Sequence, residues 1–489
     1  MKKLLLILIF LSFVFTSFSQ TTDNIKNDTI IESISTLKDK VDGVQERLTT
    51  AENDLYKLTK LKISGYIQAQ YQYFDNPSIY PNNYFSVRRA RVKFVYEPIN
   101  GINFVLQPDF SPGSIDIKDA YVQLNDPWIK TFSLYAGKFN RPNYEVEYSS
   151  SSREVPERSM VIRSLYPGER TIGAKLEIRP PKTNLKVQMA IFNGNDGLTI
   201  LDANGVNINP VNKDFDNYKD FMGRITYGFR LGNFGVLDLG VHGYYGNIKA
   251  TTTEVLNGNY ELIKTVNIGD KLTKKWVGAE FQLYMDLLGG TTLKGEVLYG
   301  QNAFPGYIGN TTSLSSITSA KNDTLFINNI TTNTSNIRPN QIKNFFGYYV
   351  YLTKNIGKRN QVAVRYDYYD PNIDIKAGDI ALTNYNNNST KTDNKITTTG
   401  NFVTTNTTKT VVNDKYTSGT SDVKYGTWTF AYSYFFTENI KVMLAYEMPT
   451  NSKSENLQTK YTVNGVSNTL DYGTVFPQNT LTVRLQVKF

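Results

Sequence analysis

Cysteine is absent from the 489 residues, which excludes disulfides, thiolate metal sites, cysteine nucleophiles and a lipid-bearing N-terminal cysteine. Histidine occurs once, at His242. Histidine-only metal clusters are therefore impossible, and a Ser-His-Asp triad has a single place to form. Long apolar runs are almost missing as well. A helical membrane protein needs several stretches of about 20 apolar residues, whereas this chain has one shorter run, at its N terminus. No Gly-rich phosphate loop stands between a strand and a helix, so nucleotide binding has no motif to rest on. Aromatic residues, by contrast, are plentiful, with 34 Tyr and 27 Phe in a chain of mildly polar mean hydropathy, −0.37. The formal charge of +9 suits nucleic acid, a membrane surface or small anions alike. Only the placement of the charges can choose among them.

The N terminus supplies an address. Met1-Lys2-Lys3 is a basic start, Leu4 to Phe15 is apolar, and Ser17 and Ser19 are spaced as a signal-peptidase site. Residues 1–19 thus read as a signal peptide cleaved before Gln20, and export argues against nucleic acid as a partner. In the following segment, 20–60, Ile34, Val41, Leu48 and Leu55 recur every seven residues, with Leu37, Val44, Ala51 and Leu58 in the other seam position. An uninterrupted a/d stripe of this kind predicts a parallel coiled coil, placed in the periplasm. The alternative is an amphipathic helix packed on its own barrel.

From Lys62 onward the period changes to two. Leu481, Val483, Leu485, Val487 and Phe489 alternate with Thr482, Arg484, Gln486 and Lys488, the pattern of a strand facing lipid on one side and water on the other. A terminal aromatic residue on such a strand is the ending expected of an outer-membrane barrel. Strands are predicted near 62–74, 84–97, 102–110, 117–125, 131–139, 170–179, 184–192 and 220–230. Eight more fall near 235–246, 274–286, 291–301, 342–353, 360–369, 424–436, 439–448 and 480–489. Connections after even-numbered strands are tight, such as Pro98-Ile99-Asn100-Gly101, Gly232-Asn233 and Gly289-Gly290. Those after odd-numbered strands are mostly longer, and 302–341 and 371–423 are rich in Thr, Asn and Ser. The expected fold is all-β, a 16-stranded antiparallel transmembrane barrel over 61–489, in the outer membrane of a Gram-negative bacterium and in contact with its lipid. A soluble β-sandwich would also alternate, but it does not account for the export signal, the strand number and the terminal Phe together.

With the apolar set facing lipid, the opposite parity faces water. Ala90, Val92, Phe94 and Tyr96 point outward, so Arg89, Arg91 and Lys93 form an inward row with a step of about 7 Å. Lys175, Arg179, Lys186, Arg224, Arg230, Lys294, Arg365, Lys441, Arg484 and Lys488 also fall inward. The acids Asp109, Asp119, Glu177, Asp238, Glu280, Asp286, Glu296, Asp367 and Glu447 oppose them. The third long loop, 140–169, carries Arg141, Arg153, Arg158 and Arg163, and Arg170 follows it. Glu145, Glu147, Glu154, Glu157 and Glu169 are its acids. Folded inward, it would narrow the pore and set arginine forks against anions. If its arginines and glutamates instead pair with each other, they merely hold the loop's shape.

The runs Phe85-Ser86-Val87-Arg88-Arg89-Ala90-Arg91-Val92, Gln107-Pro108-Asp109-Phe110 and Lys118-Asp119-Ala120-Tyr121 resemble the phosphate-selective porin O and P family. Gly137-Lys138-Phe139-Asn140-Arg141-Pro142 and Glu157-Arg158-Ser159 continue the likeness in order. The resemblance implies a homotrimer whose Arg and Lys side chains guide phosphate-like anions, and it carries over Arg88, Arg89, Arg91, Asp109 and Lys138. Asn140 stands where that family commonly has Lys. Two further functions stay open: a general or sugar-specific porin using inward Tyr66, Tyr121 and Tyr244 as a slide, and a structural or adhesive barrel. No catalytic residue, cofactor or metal is expected. Asp196-Gly197 and Asp202-Ala203-Asn204-Gly205 could hold calcium, but turns use these residues anyway.

Overall fold

The computed structural model describes residues 27–111, 113, 115–143, 150–195, 214–286, 289–321, 324–399, 402–475 and 477–489. The signal-peptide expectation, the two calcium candidates, Glu145 and Glu147 lie outside them. Two compact units result, divided between Leu61 and Lys62. The first contains helix α1, Asn27–Thr59. Its seam residues Leu37, Val41, Val44 and Leu48 are all more than half exposed, so this chain alone leaves an apolar stripe bare. Among the described residues no helix is long and apolar enough to cross a membrane.

The second unit is built on a closed ring of sixteen antiparallel strands. In chain order β1–β8 are Leu61–Phe74, Asn83–Ile99, Ile102–Asp109, Asp116–Asn125, Phe132–Asn140, Arg170–Ile178, Leu185–Phe192 and Asp220–Arg230. Strands β9–β16 are Gly235–Lys249, Lys271–Met285, Thr291–Phe304, Asn340–Ile356, Asn360–Asp370, Tyr425–Phe435, Ile440–Asn451 and Thr480–Lys488. Each pairs with its neighbour, and β1 closes on β16 from Tyr66↔Lys488 to Phe74↔Thr480. Closure removes the two edges an open sheet would leave unpaired in lipid. Period-two alternation explains why these residues choose strands. Val483, Leu485 and Val487 are exposed on the outer face, while Thr482, Arg484 and Gln486 between them are buried inside. The same alternation recurs in Trp428, Phe430 and Tyr432 on β14, giving an outer apolar surface fit for acyl chains.

Several strands run past the predicted limits, and the connections contain more sheet than their composition suggested. In 302–341 and 371–423, the hairpins Tyr307–Lys321/Thr324–Arg338 and Asn384–Thr399/Phe402–Thr417 join into one four-stranded sheet. These segments are dominated by Thr and Asn. Thr is β-branched and strand-favouring, but it carries no apolar period to reveal the strand.

One hydrophobic cluster lies inside the ring rather than on it. Val155, Val161, Ile162, Leu165 and Tyr166 of the third loop pack with Phe139, Phe192, Tyr244, Trp276, Leu298, Phe345 and Tyr349 of the walls. A helical segment of the loop, α2 (Met160–Leu165), buries Val161 and Ile162 completely. Burying a side chain of that kind contributes about 1.5–3 kcal/mol, so the loop is a packed inner layer.

Candidate functional site

The site is the lumen and the loop that crosses it. Between Ser150 and Glu169 the loop touches widely separated parts of the ring. Ser150 Oγ lies 2.5 Å from Tyr66 Oη on β1 and accepts from Arg91 of β2 at 3.2 Å. Lys441 of β15 donates to the carbonyl of Arg153 at 3.0 Å, and Lys294 of β11 reaches Glu154 at 2.7 Å. Trp276 of β10 donates its indole N–H to Tyr166 at 2.8 Å. The Met160 amide, at the start of α2, is met by Asp367 of β13 at 3.1 Å. Gly347 of β12 makes the close approach possible, since a Cβ there would sit 2.6 Å from Val161 Cγ2.

Glu157 is the hub of this contact. Arg88 grips it with two hydrogen bonds of 2.9 Å, Arg484 reaches it at 3.0 Å, and Arg89 lies 3.7 Å away. Its carbonyl accepts from Arg365 at 2.6 Å. Burial alone would push the Glu157 carboxyl up. The Arg88 hydrogen bond and the charges of Arg89, Arg88 and Arg484 outweigh it and hold the group well below the usual carboxylate range. Glu169 behaves alike: burial opposes ionisation, but Arg158 and Arg170 bring it down to about 2. At Tyr166 burial outweighs the Trp276 hydrogen bond and the Arg141 charge and pushes the phenol up.

Placing the remaining candidates shows how charge is distributed. Arg91 is buried against Asp109 at 2.7 Å, Arg170 bonds Asp119 at 3.0 Å and also Glu169, and Arg158 meets Glu169 at 3.1 Å. Lys138 lies 3.5 Å from Asp116. Arg141 is buried over the rings of Tyr166 and Phe192, and Arg153 is buried beside the Pro156 carbonyl. Arg163 is exposed. The row Arg89, Arg91, Lys93 is thus unequal: loop and strand acids neutralise the first two, and Lys93 has no ion-pair partner among the described residues. Arg88, whose parity matches outward Ala90, nonetheless reaches Glu157. Of the inward tyrosines, Tyr66 and Tyr121 line the cavity described below, and Tyr66 and Tyr244 are held by neighbours. Both are buried, the first bonded to Ser150 and the second stacked on Trp276 at 3.8 Å between ring centroids.

Below the loop, toward the end with the short turns, lies a cavity of about 680 Å³. Arg91, Lys93, Arg170, Lys175, Arg179, Lys186 and Lys488 line it, against Asp119, Glu177 and the C-terminal carboxylate of Phe489. Glu177 is shared, accepting from Arg179 at 2.9 Å with Lys186 4.0 Å away. Of this lining, Lys175, Arg179, Lys186 and Lys488 read as inward from strand parity but were not singled out as site residues. Nothing in a single strand shows that β6, β7 and β16 bring them to one cavity.

Comparison with known families fits this barrel. Residues 61–271 match the family model described as phosphate-selective porin O and P. Over that span the chain is similar to this porin family. A porin is an outer-membrane channel rather than an enzyme, and the match covers β1 to β9, including every residue of the third loop. No curated protein matches the chain. Among solved structures, the channel DcaP of Acinetobacter baumannii is 13% identical, covering 88% of this chain and 97% of DcaP, with a TM-score of 0.46. An anion-selective porin from Comamonas acidovorans is 9% identical, covering 88% and 99%, with a TM-score of 0.40. OmpT of Vibrio cholerae, also 9% identical, covers 88% and 97%, with a TM-score of 0.40.

Proposed function

We propose that this porin passes small anions, phosphate-like ones among them, with the third loop as its constriction and the cationic cavity as its periplasmic vestibule. The observation that carries this reading is the vestibule's excess of cations. Arg91, Arg170, Arg179 and Lys186 lie beside acids, and Lys93 and Lys488 add further positive charge to the same wall, which carries only Asp119 and Glu177 as acidic side chains. Ammonium groups on a narrow water-filled wall raise the local anion concentration, and low-dielectric surroundings focus the effect. At physiological salt the Debye length is about 8 Å, comparable with such a cavity, so the preference survives in part and grows as salt is lowered.

Of the loop's own arginines, Arg158 is paired with Glu169 and Arg141 and Arg153 are packed into the protein, which supports a different role for them, holding the constriction in shape. Selection of phosphate over chloride would then arise where a solute passes between the loop and the Lys-bearing walls. Millimolar phosphate added to a chloride current should reduce it, and Lys93→Ala should weaken that block. Chloride current untouched by phosphate would limit the reading to a general anion pore.

The bare seam of α1 favours self-association: three copies of the helix would cover one another's stripe in the periplasm and support a homotrimer. A sugar-specific slide loses support from the packing of Tyr66 and Tyr244.

A further inference from the structure

His242, Glu280 and Glu296 lie on the consecutive strands β9, β10 and β11 and converge inside the lumen. All three are buried, and one potential ligand atom from each lies within 4.8 Å of the others. Register places Glu280 directly opposite Glu296. Two like charges in a directly opposed pair destabilise a sheet, and this pair is shielded from water.

The surroundings are shaped for these side chains. His242 stands opposite Gly278, where a Cβ would lie 2.2 Å from the imidazole Nε2. The missing side chain lets His242 cross β10 and reach Glu296 at 2.7 Å. Gly240 stands opposite Glu280 and leaves the same kind of space. One oxygen of each carboxylate is fixed from outside. Arg224 holds Glu280 Oε1 with bonds of 3.0 and 2.5 Å, and the Tyr349 hydroxyl donates to Glu296 Oε2 at 2.5 Å. The other oxygen of Glu296, Oε1, is the one that meets His242 Nε2. Glu280 Oε2 has no hydrogen-bond partner although Glu280 is only 6% exposed, and His242 Nδ1, on a residue 4% exposed, has none either. A buried acceptor left in this way costs stability unless something binds it, and one guanidinium cannot balance two carboxylates.

We propose that His242, Glu280 and Glu296 bind a first-row divalent transition-metal ion, with Zn²⁺ as its representative. One imidazole and two carboxylates form a borderline donor set suited to such an ion. Arg224 and Tyr349 act as outer partners that aim the carboxylates. On binding, the imidazole gives up any proton on its ligating nitrogen to water, and the cation replaces the His242–Glu296 hydrogen bond. A cavity of about 590 Å³, lined by Arg224, Glu280 and Gln282, offers the ion a route in from the end with the short turns.

The test uses the full chain without a histidine tag, refolded in detergent, stripped with chelator and titrated calorimetrically with Zn²⁺. The proposal requires one ion per chain, and a Co²⁺ form with visible absorption. His242→Ala and Glu280→Gln should each weaken binding beyond the roughly 10–100-fold typical of losing an outer partner. Tyr349→Phe, which keeps all three ligands, should fall within that range at unchanged stoichiometry. Heat-modifiable migration on gels reports whether each variant retains the barrel. If Glu280→Gln fails to fold, Tyr349→Phe decides. No stoichiometric uptake, or uptake unaltered by these substitutions, overturns the proposal. A Glu280→Gln barrel that resists heat better while the parent takes up no ion would show that the carboxylates share a proton instead.

Discussion

Glu157→Gln is the substitution that most directly probes how the third loop is held. It removes one negative charge at a group with 16% side-chain exposure, surrounded by Arg88, Arg89 and Arg484. Breaking a buried ion pair by deleting one partner costs about 3–5 kcal/mol. Gln keeps one acceptor oxygen for Arg88, so the lower end applies, and about 3 kcal/mol is roughly a hundredfold in the loop's docking equilibrium. Hydrogen exchange read by mass spectrometry should show amides of 150–165 exchanging roughly a hundredfold faster, with strand amides unaffected. Single-channel records should show the loop's loosening as added current noise. The pH dependence follows from the same geometry. A carboxyl held below its usual range contributes its full stabilisation above about pH 4.3 and loses it only as pH falls from there toward the depressed value. The parent loop should therefore stay docked at pH 5. Unchanged exchange in Glu157→Gln, or parent loop release between pH 7 and 5, would refute the latch.

Other expected outcomes follow from separate contacts. Gly347→Leu drives a side chain into Val161 and should destabilise the docked loop by about 1–3 kcal/mol, visible as faster exchange in α2 while the strands keep their protection. Deleting residues 27–59 should lower the temperature at which trimers dissociate on semi-native gels, and unchanged dissociation would remove α1 from assembly. Gly65→Val should slow barrel closure in refolding assays, because its side chain would meet the Arg91 carbonyl and the Phe489 ring where the strand ends exchange hydrogen bonds of 3.0 Å.

The barrel was legible in the sequence because alternation is local: each strand states its own two faces. All sixteen strands stand near the predicted positions. Their ends were less legible, as in β9, which continues through Lys249, and β12, which spans Asn340–Ile356. Past the lipid boundary the outer face need not be apolar, so the signal fades while the ladder continues. The Thr/Asn hairpins were missed for the same reason. In the site, parity identified which charges face inward but not which acid cancels which base. Glu157 lies 69 residues from Arg88 and 327 from Arg484 in sequence. That pairing depends on a loop crossing a closed ring, and no local pattern encodes it. The convergence of His242 with Glu280 and Glu296 was hidden likewise, since it depends on register and on two glycines that leave room.

The zero-current potential in a planar bilayer, measured across a KCl gradient for the parent and for Lys93→Glu combined with Lys186→Glu, tests the anion pathway most directly. Both lysines line the vestibule, and reversing them changes its charge by four units without touching the loop's arginine latch. The parent should show anion preference, more strongly at low salt, and the double variant should move toward cations. A cation-selective parent, or a potential that the double variant leaves in place, would contradict anion passage through this vestibule.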